Sequence, residues 1–217
     1  FFLRWKCHNL DMHRCVETKD DIVFFKSNLP GGNRLMSNFA DLSEPIEVDG
    51  EVYPTVEHAY QAKARLGKDE RHLMQVGGDL ASWKGFAKLM GNFKKPSHGM
   101  LGWIARVAVN KTNSKKLRLK MGARRMDSEE ALSYLQRLLK RKFKNAKERS
   151  ALMRTGDKYI LEFDSRGGEK SFWGGKAIYA EEKGARKRVE KIVGENKLGR
   201  MLMKLRHKIV TRTHDRA

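Results

Sequence analysis

Pro54-Thr55-Val56-Glu57-His58-Ala59-Tyr60-Gln61-Ala62-Lys63 is the stretch on which the reading of this chain turns. Thr55 follows a proline and opens an apolar-periodic run. Its hydroxyl can take up an unpaired first-turn amide, so a helix is expected from there to about Leu66. Glu57 then lies in the first turn, where the helix dipole favours a charged carboxylate. Gln61 follows four residues later and projects from the same face. Just upstream, Ile46-Glu47-Val48-Asp49-Gly50-Glu51-Val52-Tyr53 alternates apolar and polar residues about Asp-Gly, the pattern of a tight hairpin.

Outward from this core, Ile22-Val23-Phe24-Phe25 reads as a buried strand, and Pro30-Gly31-Gly32-Asn33 forces a loop. Helices are expected at about 69–76, at 80–90 and, behind an Asp127/Glu130 capping box, as far as Phe143. A short helix over 146–153, a strand over 159–163 and a glycine-rich stretch over 164–177 come next, then basic helices at 181–193 and 198–210. The class is α+β and helix-dominated, one domain with a small antiparallel element over 21–211. Residues 1–20 form an extension, about 92–126 a basic insert and 212–217 a tail.

The 217 residues are 40% hydrophobic, enough for a packed core, yet 33% are charged and the net charge is +20. Such an excess points to an anionic partner. The excess is concentrated between Asn92 and Met126, with ten Lys or Arg and no acidic residue. A run of one sign cannot pair internally. Lys115, Lys116, Arg118 and Lys120 are therefore the candidate nucleic-acid contacts, with Phe93 and Trp103 able to stack on bases.

Cys7 and Cys15, with His8 and His13, fit no common zinc spacing, and two thiols make no disulfide framework. No metal and no cofactor are expected. No apolar run approaches bilayer length and the start lacks a signal peptide's apolar stretch. The expectation is a soluble chain of the cytoplasm, with the nucleus as the alternative, and no membrane partner. It opens without a methionine, as a fragment or processed product would. The stripe Leu198, Met201, Leu202, Leu205, Ile209 is expected to pack into the core rather than into lipid.

An ordered set of motifs resembles the NADAR (YbiA-like) family. It begins with Ser37-Asn38-Phe39, Val48-Asp49-Gly50 and Glu57-His58-Ala59-Tyr60-Gln61, and continues with Lys142-Phe143, Thr155-Gly156-Asp157 and Leu161-Glu162. It closes on Phe172-Trp173-Gly174-Gly175 and on Gly194-Glu195-Asn196-Lys197-Leu198-Gly199-Arg200-Met201-Leu202-Met203 with Arg206. The resemblance spans about residues 22–210 and implies cleavage of a bond between a ribose anomeric carbon and a base nitrogen. The implied substrates are ADP-ribosylated guanine in nucleic acid or phosphoribosylated riboflavin intermediates.

Breaking that bond builds positive charge on the sugar, which a nearby carboxylate stabilises. Glu57 is the first candidate, although alone it would read as an ordinary helix-start acid. Gln61 and Asn38, with the adjacent Phe39, are expected to contact substrate. The resemblance implies that Trp173 and Gly174 line a stacking wall and that Asn196 and Gly199 belong to the binding motif, with Gly194 opening the last helix toward a phosphate. A lysine two turns beyond the glutamate acts covalently in some relatives. Here Lys63 stands six residues on, with Ala64 in the seventh place, so it reaches the same face only if the helix carries a bulge. Where the family has an aspartate three residues before the tryptophan this chain has Lys170, leaving Glu169 as the substitute, and Asp127 occupies the place of a family tryptophan. These departures support a second reading, a non-catalytic module that binds ADP-ribose or nucleic acid.

Overall fold

The Asp49-Gly50 hairpin forms as its sequence demands. β2 (Ile46–Val48) pairs antiparallel with β3 (Glu51–Tyr53), Ile46 opposite Tyr53 and Val48 opposite Glu51. Both turn residues have positive φ, Asp49 at 54° and Gly50 at 78°, the geometry whose twist matches two adjoining strands. The structure is a computed structural model that describes residues 19–26, 32–81, 128–164, 168–180 and 188–214. Cys7, Cys15, Phe93, Trp103, Asp127, Lys115, Lys116, Arg118 and Lys120 lie outside the described residues, as does all but the start of the helix expected at 80–90.

The chain divides into two compact units, Asn38–Arg149 and a second made of Phe1–Ser37 with Ser150–Ala217. In the Asn38–Arg149 unit the hairpin leads into α1 (Val56–Arg65), and Thr55 caps it by accepting the His58 amide at 3.2 Å. The second long helix, α2 (Ser128–Lys142), buries Ala131, Tyr134, Leu135, Leu138, Leu139 and Lys142 along one stripe and packs on α1 and β2. Between them the expected helix over 69–76 is a 3₁₀ segment, Lys68–Met74. Gly67 precedes it and Gly77 follows at φ 84°, which leaves too few turns for an α-helix to establish itself. α3 (Ala146–Met153) forms as expected.

The second unit is built on strands and the last helix. β1 (Ile22–Phe25) runs parallel to β4 (Tyr159–Glu162), and β5 (Lys176–Tyr179) antiparallel to β6 (Val189–Val193). A parallel bridge between Phe163 and Gly175 links the end of β4 to the start of β5. The antiparallel element is thus accompanied by a parallel pair. β6 corrects the described end of the basic helix expected over 181–193, of which 181–187 lie outside the described residues. Val189, Ile192 and Val193 are β-branched, and the ladder with Lys176–Tyr179 outweighs the helical pattern of the cations. α4 (Lys197–His214) packs on β4 through buried Leu198, Leu202 and Met203 and runs four residues past its expected end. Buried Arg206 donates to the Thr155 hydroxyl at 2.6 Å and the Lys158 carbonyl at 2.9 Å. With helices of ten, fifteen, eight and eighteen residues against strands of three to five, the fold is α+β and helix-rich.

Gly199 shows how closely α4 lies on β4. A Cβ there would collide with the Ile160 carbonyl oxygen and stand 2.5 Å from the Asn196 carboxamide. Replacing Gly199 with Ala should lower unfolding free energy by about 2–3 kcal/mol in a denaturant titration, the usual cost of overpacking against backbone. A change below ~0.5 kcal/mol would show that this contact is loose.

Candidate active site

Glu57 is delivered to its place by backbone contacts on both sides. Its own amide donates to the Asn38 carbonyl at 2.9 Å, fixing the Ser37–Ala40 turn against the first turn of α1. Its side chain is 8% exposed, and Oε1 accepts from Gln61 Nε2 at 2.8 Å, so the two share one face as their spacing requires. Beside it, His58 is buried with Nδ1 2.8 Å from the Thr55 hydroxyl.

Burial pushes the Glu57 carboxyl up to about 7, and the single hydrogen bond from Gln61 opposes that only in part. The helix dipole had suggested a carboxylate held charged. Removal from water is the larger effect, because an N-terminal dipole is worth at most a couple of kcal/mol while a desolvated charge costs more. Two further atoms mark the site. The Asn38 Oδ1 and Gln61 Oε1 oxygens are buried and have no hydrogen-bond partner among the described residues. Both are acceptors, so the group that satisfies them is a donor. A sugar hydroxyl fits that requirement, whereas an ionised phosphate, which only accepts, does not.

Lys63 is placed elsewhere on the helix. α1 is α-helical throughout, with no bulge, so Lys63 sits roughly a third of a turn away from the Glu57 direction. Its Nζ lies 3.7 Å from the Asp49 carboxylate and 5.7 Å from the centre of the Tyr134 ring. Arg137 stacks on the same ring at 5.2 Å and grips Asp49 with two bonds of 2.7 and 3.2 Å. The Arg137 guanidinium, and secondarily Lys63, hold the Asp49 carboxyl below its usual range. Sequence reasoning missed this cluster. In the sequence Asp49 stands out as a turn residue and as part of the Val48-Asp49-Gly50 motif, and neither signals its pairing with Arg137 and Lys63.

In the other unit, Trp173 sits on a loop that the start of α4 holds stiffly. The amides of Glu195, Asn196, Lys197 and Leu198 donate to the carbonyls of Ser171, Gly174, Phe172 and Trp173, at 2.7 to 3.1 Å. Those donors are therefore occupied, which corrects the expectation of a helix start open to a phosphate. Asn196, in a left-handed conformation at φ 46°, is fully buried. Its carboxamide donates to Tyr159 Oη at 3.1 Å and the Ile160 carbonyl at 2.8 Å, and accepts from the Glu162 amide at 3.1 Å. Asn196 and Gly199 thus fix the frame that carries the loop. Gly174 belongs to the same frame, since a Cβ would stand 2.6 Å from the Glu162 carbonyl oxygen.

Trp173 itself is half-buried and packs edge-on against Phe172 at 4.8 Å, and Lys197 lies over the Phe172 ring at 5.6 Å. Glu169, in the 3₁₀ turn Gly168–Lys170, is 79% exposed and faces Lys191 at 3.8 Å. The acid nearest in bonding to the tryptophan loop is Asp164, which accepts from the Ser171 hydroxyl at 2.7 Å. Its only signal in the sequence is its place two residues after β4. Phe39, half-buried, lies beside Asn38 in the Ser37–Ala40 turn. Among the described residues, no cluster of His, Cys, Asp and Glu is placed to hold a metal ion, and no helix is long and apolar enough to cross a membrane.

A model of the NADAR domain matches residues 24–210. Among solved structures, the NMR structure of the E. coli protein YbiA is similar at 23% sequence identity, over 89% of this chain and 88% of that one, with a TM-score of 0.49. No curated protein matches the chain.

The raised Glu57 pKa has a sign that stability measurements read directly. Against an ordinary carboxyl at 4.5, the folded state holds the proton more tightly, so the group favours folding most at low pH. That contribution is lost as pH rises from about 4.5 through 7, a change of about 3 kcal/mol at the full shift. Glu57→Gln removes the titration. The variant should gain stability relative to the parent between pH 5 and pH 8, up to about that amount, in urea titrations at several pH values. A gap independent of pH would contradict the burial of the charge.

Proposed function

We propose that this chain, which belongs to the NADAR family, is an N-glycosidase that hydrolyses the bond between a ribose anomeric carbon and a base nitrogen. ADP-ribosylated guanine in nucleic acid is the preferred substrate class, and a related phosphoribosylated or ADP-ribose compound is its small-molecule counterpart. The observation that carries the reading is the Glu57 carboxyl, buried, near neutral in pKa, and bonded to Gln61, whose own amide oxygen lacks a donor.

As the C–N bond breaks, its electron pair leaves with the base, and positive charge spreads over the anomeric carbon and ring oxygen. In a site withdrawn from water, the Glu57 carboxylate stabilises that charge far more than it would in solution. The same carboxylate can take a proton from the attacking water. Water then supplies hydroxyl to the anomeric carbon and a proton to the departing nitrogen. The Asn38 and Gln61 oxygens would accept from the ribose hydroxyls and hold the sugar in register. Gln61, already donating to Glu57, ties that register to the carboxyl.

A second reading, binding without turnover, is favoured by one observation. The amine of Lys63 is engaged with Asp49 in the hairpin turn.

Incubation with a guanine-ADP-ribosylated oligonucleotide and with phosphoribosylated riboflavin intermediates, followed by chromatography of released base, tests the proposal. One of them should lose its base. kcat/KM should rise with pH and level off above about 7, as the carboxylate form fills. Glu57→Gln should lower kcat about 10²–10⁴-fold with binding kept. If the parent chain binds these compounds and neither loses its base, the glycosidase reading is wrong and the binding module stands.

A further inference from the structure

α4 presents two chemically separate faces. Leu198, Leu202, Met203 and Arg206 are buried. Lys197, Arg200, Lys204, His207, Lys208 and Arg212 fall within roughly 140° of arc on the other side. The helix contains no Asp or Glu from Lys197 to His214. Lys197 has an ion pair with Glu195 at 3.0 Å, but Lys204, Lys208 and Arg212 are exposed and make no ion pair with any described residue.

Those three stand at spacings of four. On a helix surface, like charges so spaced repel one another. Nothing on the helix relieves that repulsion, and an external row of negative charge would. From Arg200 to Arg212 the row is about 18 Å long. A nucleic-acid duplex presents on the order of ten phosphate charges over that length.

We infer that the exposed basic face of α4 is a phosphate-backbone binding surface for nucleic acid, an inference that does not depend on the chemistry of Glu57. An anionic membrane is the less favoured partner. A helix that settles into a bilayer inserts its apolar face, and here that face is occupied by the core through Leu198, Leu202 and Met203. The surface reads charge rather than sequence, since a lysine row contacts phosphates and carries no base recognition of its own.

The test is fluorescence anisotropy of the full chain with unmodified oligonucleotides, duplex and single-stranded, across a salt series. The variant carries Lys204→Gln, Lys208→Gln and Arg212→Gln. Relative to the parent, the slope of log affinity against log salt should flatten by about 2.7 for duplex and about 2 for single strands, from losses of ~0.9 and ~0.7 per contact. A second variant, Lys204→Arg with Lys208→Arg, should keep the parent's slope, because charge and not lysine is required. A control, Lys140→Gln, Arg141→Gln and Lys144→Gln, neutralises three exposed cations in the other unit and should leave the slope within about 0.5. The inference is overturned if the α4 triple variant keeps the parent's slope or if the control flattens it equally. It is also overturned if the triple variant loses binding only to phosphatidylserine vesicles. Because the oligonucleotides carry no ADP-ribose, the outcome does not depend on glycosidase activity.

Discussion

A carboxyl group taken out of water at the first turn of a helix is the constraint around which the Asn38–Arg149 unit is arranged. Leaving Glu57 there is unfavourable for its charged form, and the neighbouring residues do little to compensate. One hydrogen bond comes from Gln61, and no cation is among the causes that shift the carboxyl. The surroundings fix its position without neutralising it. Thr55 caps the helix, the Asn38 carbonyl holds the Glu57 amide, and the hairpin sets where the helix begins. A structural acid would be paired. One held rigid and poorly solvated near neutral pKa is in the condition that proton transfer and charge stabilisation require.

The second unit solves a different problem, which is how to keep an aromatic loop rigid. Four amides at the head of α4 bind four carbonyls of the tryptophan loop, so the donors that a helix start leaves open are used for scaffolding. Asn196 secures that head from inside by bonding β4 with both ends of its carboxamide. Gly174 and Gly199 let backbone approach backbone where any side chain would intrude. The motif residues of this region act through placement, and a half-buried indole is the group they hold in position.

Much of this was legible in residue order. Asp49-Gly50 specifies its turn through positive φ, Thr55 its cap, and the Glu57/Gln61 spacing its shared face, because each depends on contacts a few residues apart. What escaped the sequence depends on distance along the chain. The grip of Arg137 on Asp49, which draws Lys63 to the hairpin, joins residues 88 apart. β6 is a strand because Lys176–Tyr179 is available to pair with it, and its cations had disguised the β-branched pattern. The pKa of Glu57 was misjudged in direction, since position in a helix is visible in sequence and desolvation is not.

Burial holds the Glu57 carboxyl near neutrality, and everything proposed for the site depends on that. Carbon-13 NMR of the glutamate side-chain carboxyls over a pH series measures this directly, with the Glu57 signal identified by its absence in Glu57→Gln. A midpoint near 7 is the predicted result. A midpoint at the ordinary value of 4.5 would mean that water reaches the carboxyl and that the site as described does not exist.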